Sequence, residues 1–523
     1  MKTRKAFYIF LFLLVFSLLN SFSGAYPIYI LDEAKNAEAA REMYENASYI
    51  VPYFNGELRS DKPVLHYYFM SLGYKLFGVN AYGARFFSAF FGTLCLLFSF
   101  YTVRKVANER TAFWTLGLLL SSLFFVQEFH LAVPDPYLIF FVTASLWSIF
   151  LFDQTHQSKW LLAAYTLPGL GILSKGPIAL VIPVGAMGIY LLWSKRFSWN
   201  IIKSFRPLAG IFWSVLIAFP WFYFVHKETA GAFTEGFFLD HNISRFSAEK
   251  EGHGGLFIIT WLFALLGLFP GGLVLFKSFR FAKNESSMND LLRFSVSCAL
   301  IVIGIFSFSS TKLPNYTLPA VPFMAVIAAL YLNTKEAFNS PKKWTAVFGF
   351  LLLITIALPI VGYLALAQEE SLSELKSLAY YLGILPVVSL VALVLHLKKN
   401  TFKAMQMTAM GWVFMYLILF GHIYPQLTAF SPVEKAKPIL HNSENVIVFS
   451  RLDAAFPVNY QRVYPVVKEY NELEQWIIEH PDGLILTNTR DREQLKFLEE
   501  HYLKIFDQKA LFENHRTRIF ELK

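Results

Sequence analysis

The chain has 523 residues, of which 55% are hydrophobic, 18% aromatic and only 16% charged, with a mean hydropathy of +0.44. That much apolar surface exceeds what a soluble core of ordinary proportions buries, so a purely soluble protein is excluded. The formal charge of +9 comes from short Lys and Arg clusters between apolar runs, a topology signal with no basic face for a nucleic-acid partner.

Lys2, Arg4 and Lys5 precede an apolar run over residues 6–25. The run is longer than a usual signal-peptide core and many more apolar segments follow, which favours an uncleaved first span. A polar stretch over residues 26–81 comes next and predicts a helical loop beside the membrane. Apolar segments at 82–103, 111–127, 131–152, 160–175, 177–194, 207–226, 256–276, 291–309, 316–333, 344–366, 377–397 and 404–421 then predict twelve further helices, about thirteen spans in all. The ten-residue alternating segments of a membrane barrel are absent. With a cytoplasmic N-terminus, one set of connections holds Arg104, Lys105 and Arg110, Lys195, Arg196, Lys203 and Arg206, Lys277, Arg280 and Lys283, Lys335, Lys342 and Lys343, and Lys398, Lys399 and Lys403. The opposite connections are poorer in Lys and Arg, so residues 26–81, 226–255 and the tail are expected on the outer face of a plasma membrane.

The tail, residues 426–523, changes composition. The β-like runs Val446-Ile447-Val448-Phe449 and Leu484-Ile485-Leu486-Thr487 alternate with charged helical patterns such as residues 490–500, which predicts a small soluble α/β domain. The expected fold is thus an all-α polytopic membrane domain over residues 1–425 with an outer helical loop, followed by that α/β domain. Cys95 and Cys298 both fall in apolar segments, which argues against a disulfide framework or a thiolate metal site.

Ionisable side chains at the lipid boundary are costly to keep and are functional candidates. On the expected outer face these are Asp32 and Glu33, Asp61 and Lys62, Asp135, Lys175, Asp240 and His241 with Arg245, and Lys312. Acids with separated bases suit a reaction between a membrane-anchored phosphate and a hydroxyl, the acid taking a proton and the cations neutralising the departing phosphate. Tyr67, Tyr68 and Tyr316 would support a sugar ring or polyprenyl chain. Plainer roles compete: Asp32 and Glu33 as partners of a helix dipole, Asp135 as a cap, Lys175 and Lys312 as snorkelling residues. Glu38, Arg41, Glu42 and Glu45 have the spacing of ordinary helix ion pairs.

No glycine loop or dinucleotide fingerprint is present, so an activated sugar would arrive on a lipid. The histidines lack zinc-type spacing, and a divalent-metal requirement stays open with no clear ligand cluster in view. A secondary transporter or lipid flippase is the alternative class. Such proteins tend to place their charges near the midplane on interrupted helices, whereas the charges here fall in outer loops, which favours an enzyme.

Asp32-Glu33, Ala37-Glu38, Arg41-Glu42-Met43, Pro52, Asn55-Gly56, Lys62-Pro63, Leu76-Phe77-Gly78-Val79 and Arg85 form an ordered series. It continues with Asp135, Gly169-Leu170-Gly171-Ile172-Leu173-Ser174-Lys175-Gly176-Pro177, His241-Asn242-Ile243-Ser244-Arg245-Phe246 and Lys312-Leu313-Pro314-Asn315-Tyr316-Thr317-Leu318-Pro319. The series, over roughly residues 7–335, resembles the bacterial branch of the GT-C glycosyltransferases, which includes the lipid A aminoarabinose transferases and relatives of the protein O-mannosyltransferases. The resemblance implies transfer of a sugar from a polyprenyl-phosphate donor on the outer face, with inversion at the anomeric carbon, to an acceptor such as lipid A, protein or an envelope glycan. It implies Asp32 as general base, Asp135 as a second acid near the acceptor or ordering the loop, Lys62, Arg245 and Lys312 as donor-phosphate contacts, and Tyr316 in the donor pocket. Glu33, Asp61, His241 and Lys175 are the further expected substrate contacts. The chain departs from the family pattern at Asn36, where Tyr is usual, at Asp61, often Glu, and at Val64, where a second Pro is usual.

Overall fold

A computed structural model describes residues 2–243, 254–282, 289–334, 336–339 and 341–523. Helix α1 spans Lys2–Asn20, and the 26–81 stretch folds as two helices, α2 (Leu31–Glu45) and α3 (Leu65–Phe77), with a short hairpin of β1 (Tyr53–Phe54) and β2 (Glu57–Leu58) between them. Four alanines give α2 high helical propensity, and Asp32 and Glu33 in its first turn complement the helix dipole. Although polar by composition, α2 has ten buried residues, because α3 and later segments cover it. Ser71 and Tyr74 of α3 donate to the Ala40 and Ala37 carbonyls at 3.2 and 2.9 Å. As the spacing of the charges predicts, Arg41 pairs with Glu38 at 2.6 Å and with Glu45.

Helix α3 ends at Gly78, whose φ of +83° is a conformation open to glycine, and Asn80 then caps α4 (Ala81–Val106) by accepting from the Gly83 amide at 2.9 Å. The two helices cross so closely that a Cβ on Gly73 would stand 2.0 Å from the Gly83 carbonyl oxygen.

Among the described residues, eight helices are long and apolar enough to cross a membrane, or nine if one bent pair counts as a single span. Five of the thirteen predicted spans are not among these eight, and a sixth, at 316–333, opens irregularly. The first, Lys5–Asn20, and α9 (Ile178–Trp193) are apolar but shorter. The segment at 111–127 breaks into α5 (Glu109–Leu120) and α6 (Leu123–Glu128). The Ser121 and Ser122 hydroxyls both donate to the Leu118 carbonyl, at 3.1 and 2.7 Å, in competition with the helical ladder. The segment at 160–175 becomes α8 (Ser158–Lys175), with Pro168 inside it, following α7 (Asp135–Thr155). The segment at 256–276 is not one straight span: Phe257–Gly267 and Gly272–Ser278 meet at 110°. Pro270, Gly271 and Gly272 occupy the corner, where proline supplies no N–H to the ladder and glycine disfavours helix. The segment at 316–333 opens as a 3-10 turn, Pro314–Ala320, which carries two prolines, before Val321–Leu332 continues as α-helix.

At the C-terminus β3 (Val446–Phe449), β4 (Val466–Val467), β5 (Leu484–Thr487), β6 (Tyr502–Lys509) and β7 (Arg516–Leu522) form one sheet in the order β4-β3-β5-β7-β6. β3, β4 and β5 run parallel, and β7 and β6 close the sheet as an antiparallel hairpin. The runs that read as strands in the sequence are β3 and β5; β6 escapes such a reading because its exposed face carries Lys504, Asp507 and Lys509 amid the charges that follow residue 490. Ile447, Phe449, Ile485 and Phe520 of the sheet pack on Leu473, Ile477 and Leu498 from the helices Tyr470–Glu479 and Arg492–His501.

This sheet region is tied to the 26–81 loop. Asn459 donates to the Ile28 carbonyl at 2.6 Å, Asn55 and Tyr464 exchange two hydrogen bonds at 2.9 and 2.8 Å, and the Leu511 amide donates to the Tyr29 hydroxyl at 2.8 Å. The two segments therefore lie on one face of the helix bundle.

His515 gives this region a pH dependence. Its Nε2 lies 3.3 Å from Asp453 and its Nδ1 3.0 Å from Glu513, and the two carboxylates raise its pKa to about 9 against the opposing effect of burial. A pKa raised above the unfolded value of about 6.5 contributes stability that is full below that pH and is lost as pH rises through about 9, on the order of 2 kcal/mol after allowance for solvent around the pair. Amide exchange in β6 and β7, corrected for intrinsic rates, should accelerate across this window, and His515→Gln should remove the effect. Equal protection at both ends in the wild type would refute it.

Candidate active site

Asp135 opens α7 between Pro134 and Pro136, which suit a helix start because their missing N–H groups cost no ladder bond there. Lys175 is the last residue of α8, which stops where Gly176 takes φ +105°. The two helices pack side by side, and the start of one meets the end of the other: the Lys175 ammonium donates to Asp135 Oδ1. Asn315 Nδ2 donates to the same oxygen at 3.1 Å, and the Tyr316 ring centroid lies 5.1 Å from Lys175 Nζ. The 3-10 turn Pro314–Ala320 supplies both Asn315 and Tyr316.

Asp61 faces this group. It lies 3.2 Å from Arg59 and 3.2 Å from His241 Nε2. Burial pushes its carboxyl up, but Arg59, His241, Lys62 and Lys35 outweigh burial and hold it below the usual carboxylate range. Asp61, Lys62, Asp135, Lys175, His241 and Tyr316 together line a cavity of about 580 Å³ whose opposite wall is apolar, with Leu138, Ile178, Val181, Ile305 and Phe306. Six of the residues singled out in the sequence thus converge.

Three others fall elsewhere, and a fourth cannot be placed among the described residues. Asp32 is exposed in the first turn of α2. Lys312 donates to the Ser309 carbonyl at 2.5 Å, and Ser309 lines the cavity. Arg245 lies outside the described residues. Glu33, expected among the substrate contacts, is only 1% exposed, and both its oxygens are engaged: Oε1 accepts from Arg85 Nε at 2.6 Å and from the Ala132 amide at 2.9 Å, and Oε2 from Arg85 Nη2 at 2.9 Å. It is an anchor between the loop, α4 and the segment before α7.

The structure gives further residues a place around the loop. Asn36 Oδ1 is contacted by Arg59 Nη2 at 3.3 Å, His66 Nε2 at 3.2 Å and the Tyr67 hydroxyl at 3.3 Å, and Asn36 Nδ2 donates to the Asp32 carbonyl at 2.7 Å. Complete burial, then Arg59, Lys62 and Lys175, hold the His66 imidazole well below its usual pKa. It is therefore neutral, with its proton assigned to Nε2 by the Asn36 oxygen. This network fixes the backbone one turn beyond Asp32. Glu128, at the end of α6, is 5% exposed, feels the charges of Asp135, Lys175 and Asp32, and has one oxygen without a hydrogen-bond partner among the described residues. An acid inside the apolar run Phe124-Phe125-Val126-Gln127-Glu128-Phe129 was the signal that would have found it. Among the described residues no three His, Cys, Asp or Glu side chains converge as metal ligands.

Known proteins are similar to this chain in sequence and in architecture. The family model described as dolichyl-phosphate-mannose-protein mannosyltransferase matches residues 61–224. An undecaprenyl phosphate-alpha-4-amino-4-deoxy-L-arabinose arabinosyl transferase of Edwardsiella ictaluri is 30% identical over 319 residues, 59% of this chain and 56% of that protein. An uncharacterized protein of Aquifex aeolicus is 29% identical over 65% of this chain and 66% of its own length, so the chain spans less than two thirds of either relative. The crystal structure of ArnT from Cupriavidus metallidurans bound to undecaprenyl phosphate superposes with a TM-score of 0.80 over 98% of this chain and 97% of that one, at 18% identity. The chain has a GT-C fold. In sequence it resembles the aminoarabinose transferases.

Proposed function

We propose that the chain is an integral membrane glycosyltransferase that moves a sugar from a polyprenyl-phosphate-linked donor to a hydroxyl or phosphate of lipid A, protein or an envelope glycan, with inversion. The observation that carries this reading is the 580 Å³ cavity in which two lysines and two carboxylates face an apolar wall. A donor of this kind has the same division: a prenyl chain for the apolar wall, a phosphate for the lysines and a sugar between them. Similarity to the arabinosyl transferases supports the donor class. In this reading the chain crosses the plasma membrane thirteen times, and residues 26–81 and a C-terminal α/β domain, residues 426–523, share its outer face.

The proposed step is a single displacement. The Asp32 carboxylate takes the proton of the acceptor hydroxyl as its oxygen attacks the anomeric carbon from the face opposite the phosphate. The carbon–oxygen bond to phosphate breaks, and its electron pair leaves with the polyprenyl phosphate. Lys62, Lys312 and Arg245 offset the charge that grows on that phosphate. Asp135, restrained by Lys175 and Asn315, orders the acceptor side, and Asp61 and His241 contact the sugar. Asn36, where the family pattern has Tyr, holds Arg59 and Tyr67 behind the cavity and through them bears on the choice of sugar.

Lys62→Ala should lower kcat/KM for the lipid-linked donor about 10- to 100-fold, an effect on the scale of a lost charge-assisted phosphate contact, while the unfolding temperature stays within a few degrees. Steady-state kinetics over a donor series in detergent would check it. Unchanged donor dependence would remove Lys62 from the phosphate site.

A further inference from the structure

A second large cavity lies toward the other end of the bundle. α4 starts where the 26–81 loop ends, and its 26 residues carry the chain about 39 Å, at 1.5 Å per residue, to the start of α5. From there a groove of about 520 Å³ runs between α5 and the helices Gly272–Ala282, Pro341–Gln368 and Thr401–Ile418. Among the described residues its walls include Phe113, Trp114, Trp344, Phe348 and Met405, Arg110 is its only charged lining residue, and no acid lines it.

The groove adjoins a cation, Lys277, that sits beside the Trp344 ring. Lys277 Nζ lies 3.5 Å from the centroid of the Trp344 ring, is shielded from solvent and has no hydrogen-bond partner among the described residues. Lys343 is close enough to repel it. An ammonium out of water without an acceptor is costly, and a ring face offsets only part of that cost. An anion seated beside Trp344 would remove the penalty, and an apolar groove beside an anion site fits an amphiphile.

We propose that this groove binds one anionic diacyl phospholipid of the leaflet opposite the candidate active site, its phosphate against Lys277 with Arg110 and Lys343 nearby and an acyl chain along α5. The proposal does not depend on the proposed reaction. Among the described residues the groove has cations and apolar surface but no carboxylate to act as a base, which fits a holding site.

The test is native mass spectrometry of the delipidated full chain titrated with phosphatidylglycerol or with phosphatidylcholine of the same acyl chains. The expected result is one phosphatidylglycerol retained per chain, about tenfold tighter than phosphatidylcholine, an ordinary scale for one buried charge contact. Lys277→Gln should bring the two lipids level. Gly117 lines the groove, and a Cβ there meets nothing within 4 Å; Gly117→Phe should fill the space and weaken both lipids at an unchanged unfolding temperature. Equal affinity for the two lipids in the wild type, a preference that survives Lys277→Gln, or displacement of phosphatidylglycerol by stoichiometric polyprenyl phosphate would each overturn the proposal.

Discussion

Asp32→Asn is expected to cut turnover about a thousandfold, within the range found for loss of a general base, with membrane insertion and unfolding temperature nearly unchanged. The separation of activity from stability follows from position. Asp32 is exposed at the start of α2, and no side-chain cap holds that helix start, so the fold loses only a helix-dipole contact of about 0.5 kcal/mol. The backbone beneath stays fixed, because Asn36 grips the Asp32 carbonyl from within the Arg59, His66 and Tyr67 network. Turnover of a labelled lipid-linked donor by purified protein, alongside a thermal unfolding curve, measures both quantities. Turnover near the wild-type level would transfer the base role elsewhere, with Asp135 or Glu128 next in line. Asp135→Asn is a poorer probe, since Asp135 is bonded to Lys175 and Asn315 and its loss also disturbs the cavity wall.

Arg85→Ala is expected to have the opposite signature: a destabilisation of about 3–5 kcal/mol, typical of breaking one half of a buried ion pair, with activity lost only through the missing fold. Arg85 is fully buried, pairs with Glu33 through two nitrogens, and donates to the carbonyls of Ser23, Tyr26 and Pro27 at 2.8, 3.0 and 3.2 Å. Its guanidinium also lies 4.1 Å from the Tyr26 ring centroid. Truncation leaves a buried carboxylate and three carbonyls without their donor. Arg85→Lys should fail nearly as badly, because an ammonium cannot reproduce the planar fork. Replacing Arg85 and Glu33 together by apolar residues of similar volume should recover part of the loss. Yield of monodisperse protein and its unfolding temperature give the readout, and a variant as stable as wild type would show that the pair is dispensable.

The contrast between neighbours Asp32 and Glu33 marks the limit of what the sequence discloses. Two adjacent acids after a membrane-length apolar run identify the loop as chemically unusual, but successive residues of a helix point about 100° apart. Only the packing of α2 against α4 and the Ala132 segment decides that Glu33 turns inward to Arg85 while Asp32 faces solvent. Residues separated by short spans were easier to place: Asp135 and Lys175 are 40 positions apart, yet two consecutive antiparallel helices bring a start and an end together. Arg59, Asn36 and His66 were obscure for the reverse reason, since a loop residue, an amide and an interfacial histidine carry no periodic pattern. Spans with uninterrupted apolar runs, such as Ala81–Val106, were legible from length alone. The bend at Pro270 and the break at Ser121 were not, because hydropathy averages over the very residues that interrupt the ladder.

Cleavage of a lipid-linked sugar at the cavity is the event on which the proposed function turns. Its most direct measurement uses the purified chain in liposomes, given a polyprenyl phosphate bearing a labelled sugar together with lipid A and envelope protein. Mass spectrometry and NMR of the products should show polyprenyl phosphate released in equal amount to labelled acceptor, with the anomeric configuration inverted. Intact donor appearing across the bilayer with no cleavage, the behaviour of a flippase, would contradict the account.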